Sequence, residues 1–150
     1  MEPSLRRIVL PVLAAAGSLA FYPAMAQDPP QAEASATNDA QMRAAAAVVQ
    51  RSLDAYRKRD FEGWLNAYAM DVVVIGPGYE LYGRDELMRA FRPVFEINLP
   101  PVEIIESGWT GDSVYVVQRE YLPDGTLQGT TYAEYLVRGG KILSVVGHSI

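Results

Sequence analysis

The chain has 150 residues, an apolar fraction of 49% and a net charge of −5, which predicts one globular domain with a core of its own. It contains no cysteine and a single histidine, His148. Disulfides, thiolate metal sites, a cysteine nucleophile and a multi-histidine metal site are therefore excluded. Lysine and arginine form no block, so we expect no nucleic-acid binding. We also predict no metal and no other cofactor.

The first segment, residues 1–26, has the pattern of a cleavable signal peptide. Arg6 and Arg7 precede an apolar stretch over residues 8–20, and small residues around Ala26 fit a signal-peptidase site. An uncleaved membrane anchor is the alternative, but two prolines interrupt the apolar stretch. We therefore expect a periplasmic or secreted protein that is free of the membrane after cleavage. The sequence leaves open whether it is exported by general secretion or by the twin-arginine route.

The segment that follows, residues 27–39, is rich in proline and polar residues and has no aromatic residue. Such a composition cannot bury enough surface to order itself, so we predict a flexible spacer. The domain then covers residues 40–150. Its first helix is predicted to begin at a cap on Asn38 or Asp39 and to continue to Arg59.

The next elements predict a second helix and a first strand. Asp60 is placed to cap a short helix whose apolar face contains Trp64 and Tyr68. The β-branched run at residues 72–75 predicts a strand, and the glycine–proline–glycine sequence at residues 76–78 predicts a loop after it.

The rest of the chain predicts a third helix and then four strands. The helix covers roughly residues 84–95. The strands are predicted at residues 102–107, 113–121, 129–138 and 141–147, separated by short turns. Short turns favour antiparallel pairing, so the fold class is α+β, with the helices packed on one face of a curved, mostly antiparallel sheet.

Four pieces of the chain, in this order, carry a family resemblance: residues 53–61 (LDAYRKRDF), 68–73 (YAMDVV), 81–87 (LYGRDEL) and 138–143 (RGGKIL). With them, residues 40–150 resemble the SnoaL-like branch of the nuclear-transport-factor-2-like superfamily. The resemblance implies a cone-shaped roll that is open at one end and often dimeric through the outer face of its sheet. It does not settle function, because this fold serves both enzymes and non-catalytic binding domains.

Ketosteroid isomerases, which the resemblance brings in as relatives, place a base after the first strand, a tyrosine on the first helix and a protonated aspartate on a later strand. In this sequence the three positions fall at Gly76, Ser52 and near Thr131. None of them carries the required group. We therefore favour a protein without that chemistry.

The remaining polar candidates are Glu134, Arg119 and His148. A Glu134–Arg119 pair on neighbouring strands predicts either a polar anchor or general acid inside the cone, or an exposed pair on the surface or at a dimer interface. His148 has a pKa range suited to acid–base work, but near a chain end it is also typical of a surface residue. These are the weak catalytic candidates.

Aromatic residues supply the candidates for a ligand pocket. Aromatic rings with a polar tip suit an apolar, oxygenated small molecule, although core packing is the alternative. The candidates are Trp64, Tyr68, Tyr79, Tyr82 and Tyr132.

Three functions remain open. The favoured one is an exported homodimer that binds a hydrophobic small molecule or a partner protein without a reaction. The second is a SnoaL-like isomerase, cyclase or hydrolase that transfers a proton on a hydrophobic carbonyl or polycyclic substrate. The third is an interaction domain whose cone is filled by its own side chains.

Overall fold

The computed structural model describes residues 29–97 and 99–150, so the predicted signal peptide lies outside the described residues. Within them the helices are α1 (Pro29–Arg57), α2 (Phe61–Asn66) and α3 (Arg84–Ile97). The strands are β1 (Tyr68–Gly76), β2 (Tyr79–Tyr82), β3 (Val102–Thr110), β4 (Ser113–Tyr121), β5 (Leu127–Arg138) and β6 (Lys141–Ser149).

The strands form one sheet in the order β2-β1-β6-β5-β4-β3. Strands β3 to β6 pair antiparallel with their sequence neighbours, whereas β1 lies parallel to β6. The first strand thus closes on the last, and this brings the helices that flank β1 onto the sheet. The predicted α+β class, with helices on a curved and mostly antiparallel sheet, is confirmed.

Helix α1 begins at Pro29, so residues 29–39 of the predicted spacer are helical. This corrects the prediction of a start at Asn38 or Asp39. Proline is favoured in the first helical turn and alanine propagates a helix, so a segment without apolar periodicity can still extend it. Further along, Val49 and Leu53 are buried against the sheet. No helix among the described residues is both long and apolar enough to cross a membrane.

The turn into α2 has the predicted cap. The Asp60 side chain accepts a hydrogen bond from the backbone N–H of Gly63 at 2.9 Å. The helix ends at Asn66, however, and Tyr68 is the first residue of β1 rather than the last turn of α2. Tyr68 pairs with Ile142 of β6, so sheet pairing overrides the helical spacing at this position.

The segment after β1 is a hairpin rather than a loop. Gly78 adopts φ +81°, which a turn at this point requires, and β2 returns with Ile75 opposite Glu80. Strand β2 was missed because it is short and mixes polar with aromatic residues. Gly83, at φ +84°, donates its N–H to the carbonyl oxygen of Val72 at 2.7 Å and leads the chain into α3.

The two faces of the sheet differ in what covers them. We call inner face the side packed against the helices; on β4, β5 and β6 it carries Val116, Gln118, Glu120, Thr131, Ala133, Tyr135 and Val145. We call outer face the opposite side; it carries Tyr115, Val117, Arg119, Tyr132, Glu134, Val146 and His148. Alternation along each strand separates the two sets.

Candidate functional site

A cavity of about 460 Å³ lies between the inner face and the helices. Helix α1 supplies Ser52 and Tyr56, and α2 supplies Trp64. The β1–β2 hairpin and α3 add further apolar and aromatic side chains, and the ends of β3, β4 and β5 close the remaining side. A cone filled by its own side chains, the third function considered above, does not fit a cavity of this size.

Aromatic rings form one wall of the cavity, with Trp64 at its centre. The Trp64 ring lies 5.0 Å from the ring of Tyr68 and 5.0 Å from the ring of Phe91. Tyr79, on the hairpin, extends this wall with its ring 6.4 Å from that of Phe91. Trp64 is fixed because Asp60 caps the short helix that carries it. The wall is therefore a preformed apolar surface.

Besides Tyr79 on the hairpin, three tyrosines bring hydroxyl groups to the cavity. Burial raises the pKa of Tyr68 to about 12, while hydrogen bonds with Ser52 and Trp64 oppose that rise. Burial also raises the pKa of Tyr56 and of Tyr135 well above the ordinary value. All three hydroxyls consequently stay protonated at physiological pH and can act as hydrogen-bond donors.

The three hydroxyls are not equally engaged. Tyr56 donates to the backbone carbonyl oxygen of Pro100 at 3.3 Å, and the neighbouring Ser52 side chain acts to lower the pKa of Tyr68. Tyr135 forms no hydrogen bond with another side chain or backbone group in the part of the chain that the structure describes. Its side chain is 8% exposed and lines the cavity. Tyr135 is therefore the best-placed donor for an oxygen atom inside the cavity.

Glu120 is the one charged side chain among the described residues that line the cavity. Its Oε1 accepts hydrogen bonds from Gln118 Nε2 at 3.1 Å and from Thr131 Oγ1 at 3.3 Å. Both donors lie on the inner face, where Gln118 stands opposite Thr131 in the β4–β5 register. The charge of Glu120 contributes, after burial, to the raised pKa of Tyr79. The cavity thus combines aromatic walls, neutral hydroxyls and one half-buried carboxylate.

The structure brings some of the predicted pocket residues together and separates others. Trp64, Tyr68 and Tyr79 line the cavity. Tyr82 does not line it: its side chain is exposed, and its hydroxyl donates to Glu80 Oε2 at 2.6 Å. Tyr132 lies on the outer face, because strand alternation places it opposite to its neighbours Thr131 and Ala133.

The weak catalytic candidates also lie on the outer face. Glu134 accepts a hydrogen bond from the Tyr132 hydroxyl at 2.9 Å, and the His148 ring lies 5.1 Å from the Tyr132 ring. Arg119 contacts Glu103 at 3.7 Å and stands opposite Thr130, so the expected Arg119–Glu134 pair does not form. The register places Tyr115, not Arg119, opposite Glu134. These three side chains share a surface, but it is not the cavity.

The positions compared with ketosteroid isomerases do converge on the cavity: Ser52, Gly76 and Thr131 all line it. Sequence reasoning missed Glu120, which occupies the same site from a different strand position. Alternation alone does not identify it, but the apolar character of one face gives a signal. The run Ala133, Tyr135 and Val137 is the more apolar side of β5, and the residues of β4 on that same side end in Glu120.

Two further features bound the chemistry of the described residues. The described residues contain no group of three or more histidine, aspartate or glutamate side chains placed to hold a metal ion. A second cavity, of about 250 Å³, lies between α1 and strands β3 and β4. Its lining carries no titratable side chain, so the chemistry concentrates in the larger cavity.

Solved structures share this fold. An NTF2-like protein of unknown function from Mesorhizobium loti is 17% identical, with a TM-score of 0.64 over 73% of this chain and 93% of that one. A putative polyketide cyclase from Sinorhizobium meliloti is 20% identical, with a TM-score of 0.60 over 67% of this chain and 93% of that one. An M. tuberculosis LEH-like epoxide hydrolase is 18% identical, with a TM-score of 0.61 over 72% and 84%. At these identities the likeness shows the fold alone.

A comparison with curated proteins gives no significant match. The family model of the SnoaL-like domain, by contrast, matches residues 49–145, well over half of the chain. The match covers the C-terminal part of α1, the helices α2 and α3, and every strand through the inner-face residue Val145. The chain therefore belongs to the SnoaL-like domain family, within the NTF2-like fold.

Proposed function

We propose that this domain binds an apolar or aromatic small molecule in the cavity of the inner face. The observation that carries the proposal is the cavity itself: about 460 Å³ is within the range of small-molecule sites. Its lining matches the usual composition of such sites, with mostly apolar and aromatic walls and a few polar groups.

The arrangement of polar groups describes the ligand further. Trp64, Tyr68 and Phe91 offer ring faces and edges to an apolar body. The Tyr135 hydroxyl is protonated and faces the same space, so it can donate to a carbonyl or hydroxyl oxygen. We therefore expect a ligand with an apolar ring system and at least one oxygen or other polar atom.

Binding can be followed through the tryptophan in the cavity wall. The chain has two tryptophans, and Trp109→Phe leaves Trp64 as the reporter. We expect adamantanol, a globular alcohol that does not absorb with tryptophan, to shift the Trp64 emission saturably. Ala133→Phe places a ring inside the cavity and should abolish the response.

The matched control is Val146→Phe, which adds the same ring to the exposed outer face. We expect it to leave the Trp64 response unchanged. Thermal unfolding of both variants establishes that they are folded. A response that survives Ala133→Phe but is lost in Val146→Phe would place binding on the outer face and contradict the proposal.

Glu120 favours a second candidate function, proton transfer on a bound substrate. A carboxylate on one side of a bound molecule can remove a proton, while a protonated tyrosine hydroxyl such as that of Tyr135 stabilises the negative charge that develops. This differs from the prediction in one respect: the proton-transfer group would be Glu120 rather than Glu134 or His148. Two of the solved structures carry enzyme names, a cyclase and an epoxide hydrolase.

The two functions are separated by the molecule that the protein retains. Native mass spectrometry of wild type and of Glu120→Gln, purified from the same cells, would show the retained molecule in each. A binding protein retains the same molecule in both, whereas an enzyme retains a different one, identified by mass or chromatographic retention. Glu134→Gln and His148→Ala serve as controls, because their side chains lie on the outer face.

Export is part of the proposal. It is supported by the sequence pattern of residues 1–26, a basic start, an apolar stretch and small residues at Ala26. Expression of the full chain in a Gram-negative host should yield a periplasmic protein whose intact mass is that of a chain starting at Gln27. A full-length protein in the membrane fraction would contradict cleavage.

A homodimer through the outer face is also part of the proposal. The face carries the stacked rings of Tyr115 and Tyr132, 5.6 Å apart, and the exposed Val146. Light scattering should give the mass of two copies. Val146→Asp should convert it to one copy, whereas a mass of one copy for wild type would contradict this arrangement.

A further inference from the structure

Resting on the proposed binding function, we infer that the ligand carries a positive charge: a protonated amine on an apolar ring system, with the amine held by Glu120. The binding proposal concerns the apolar body of the ligand and would stand without this charge. The inference concerns what the carboxylate selects.

Glu120 has hydrogen-bond donors but, among the described residues, no counter-ion within ion-pair distance. Its donors, the Gln118 amide and the Thr131 hydroxyl, are neutral. The ion pairs found among residues 29–97 and 99–150 involve other carboxylates. A half-buried carboxylate without a cation gains strongly from an ammonium partner, because a charge-assisted hydrogen bond is worth about twice a neutral one.

The tyrosines around Glu120 stay neutral, so they do not compensate its charge. The charge of Glu120 contributes to the raised pKa of Tyr56, Tyr79 and Tyr135, in each case after burial. Arg59 opposes it at Tyr56, but by less than burial and Glu120 raise that pKa. The potential inside the cavity is consequently negative, which favours a cation and disfavours an anion.

The aromatic wall has the same preference. The faces of Trp64, Tyr68 and Phe91 carry the negative part of the ring quadrupole, and a cation within about 6 Å of a ring centre is attracted to it. A carboxylate ligand would instead meet Glu120 and the ring faces without any cation in the lining to neutralise it. The lining therefore selects by charge as well as by shape.

The test uses three molecules of the same shape: adamantylammonium, adamantanol and adamantanecarboxylate, titrated into the full chain at neutral pH and followed by calorimetry. We expect the ammonium to bind about tenfold tighter than the alcohol, as a single charge-assisted bond predicts. The carboxylate should bind more weakly than the alcohol. Glu120→Gln, which keeps the shape of the side chain, should remove the preference for the ammonium, and Glu134→Gln should not.

The outcomes separate the two proposals. Equal binding of the ammonium and the alcohol to wild type, or tighter binding of the carboxylate, would overturn this inference and leave the binding function intact. A preference for the ammonium that persists in Glu120→Gln but disappears in Glu134→Gln would also overturn it, because the cation would then sit on the outer face. No binding of any of the three would contradict the proposed function itself.

Discussion

The two faces of the sheet use the same residue type in opposite ways. On the outer face each of three tyrosine hydroxyls has a carboxylate of its own: Tyr115 donates to Glu106 at 2.7 Å, Tyr121 to Glu103 at 2.7 Å and Tyr132 to Glu134 at 2.9 Å. Around the cavity, four tyrosines approach one carboxylate, Glu120, and none of them bonds to it: Tyr56, Tyr68, Tyr79 and Tyr135. Identical chemistry is thus saturated on one side and available on the other.

This difference shows where a functional site can reside. A tyrosine–carboxylate pair in solvent satisfies both groups and adds little else. The same groups held apart around a half-buried cavity keep hydrogen-bonding capacity that an occupant can use. Glu134, a catalytic candidate in the sequence, is already hydrogen-bonded to Tyr132 on the outer face. It is therefore a weaker candidate for a functional site than Glu120.

The largest expected contrast concerns the rings themselves. Trp64→Ala removes the centre of the inner aromatic wall, a side chain that is 5% exposed, and should lower the free energy of unfolding by about 3–5 kcal/mol. Tyr132→Ala removes one of the two stacked rings of the outer face, which are half-buried in the single chain, and should cost about 1 kcal/mol. Chemical denaturation measures both. Equal costs would show that the outer rings are as well packed as the inner ones.

Alkaline pH should affect the inner tyrosines most. Tyr68 has a pKa of about 12 in the folded protein against 10.0 for a free tyrosine, so the unfolded chain loses its proton first. The contribution of Tyr68 to the free energy of unfolding is fully present below pH 10. It decreases by about 1.4 kcal/mol per pH unit between pH 10 and the pKa of the folded protein.

Chemical denaturation at successive pH values measures this loss of unfolding free energy. We expect Tyr68→Phe to reduce the loss. The outer-face control is Tyr115→Phe. The Tyr115 hydroxyl donates to Glu106 at the surface, so its removal should change the loss of stability at high pH less. An equal change in both variants would contradict the difference between the faces.

Two glycines allow a matched test of ring position. A Cβ on Gly76 would come 2.2 Å from the Tyr79 ring, which lines the cavity, and a Cβ on Gly108 would come 2.7 Å from the Tyr115 ring on the outer face. Gly76→Ala and Gly108→Ala should each cost about 1–2 kcal/mol as the rings are displaced. Only Gly76→Ala should change the affinity for adamantanol, measured by Trp64 fluorescence. A change of affinity in Gly108→Ala would link the outer rings to binding.

The smallest effect on stability is expected for Arg119, which lies on the outer face next to the inner-face residue Glu120. Arg119→Ala breaks an exposed contact with Glu103 and should change stability by about 0–1 kcal/mol. It should leave the binding of adamantylammonium unchanged, although it adjoins Glu120. Calorimetry with this variant checks that the charge preference belongs to the inner face. A lost preference would show that the two faces are coupled.

Much of the fold could be predicted from the sequence, because turn chemistry and periodicity act locally. The Asp60 cap and the consecutive antiparallel strands β3 to β6 follow from such patterns. The parallel contact of β1 with β6 and the start of β1 at Tyr68 depend on partners distant in sequence. No local pattern determines those partners.

The candidate site was harder to predict for a related reason. Alternation separates Tyr132 and Glu134 from Thr131 and Ala133, but it does not say which set faces the helices. That choice depends on how α1 packs on the sheet. Trp64, Tyr68 and Tyr79 were predicted because aromatic rings with a polar tip suit a small-molecule pocket. Glu120 could be predicted as a cavity residue only once it was known which face of the sheet meets the helices.

Methyl-resolved NMR during a titration with adamantylammonium tests the central claim most directly, because neighbouring residues report on opposite faces. Ala133 and Val145 line the cavity, whereas Val146 lies on the outer face and is exposed. The account predicts saturable shifts for the methyl groups of Ala133 and Val145 and none for those of Val146. Shifts of the Val146 methyl groups with the cavity methyl groups unmoved would place the ligand on the outer face and contradict the account.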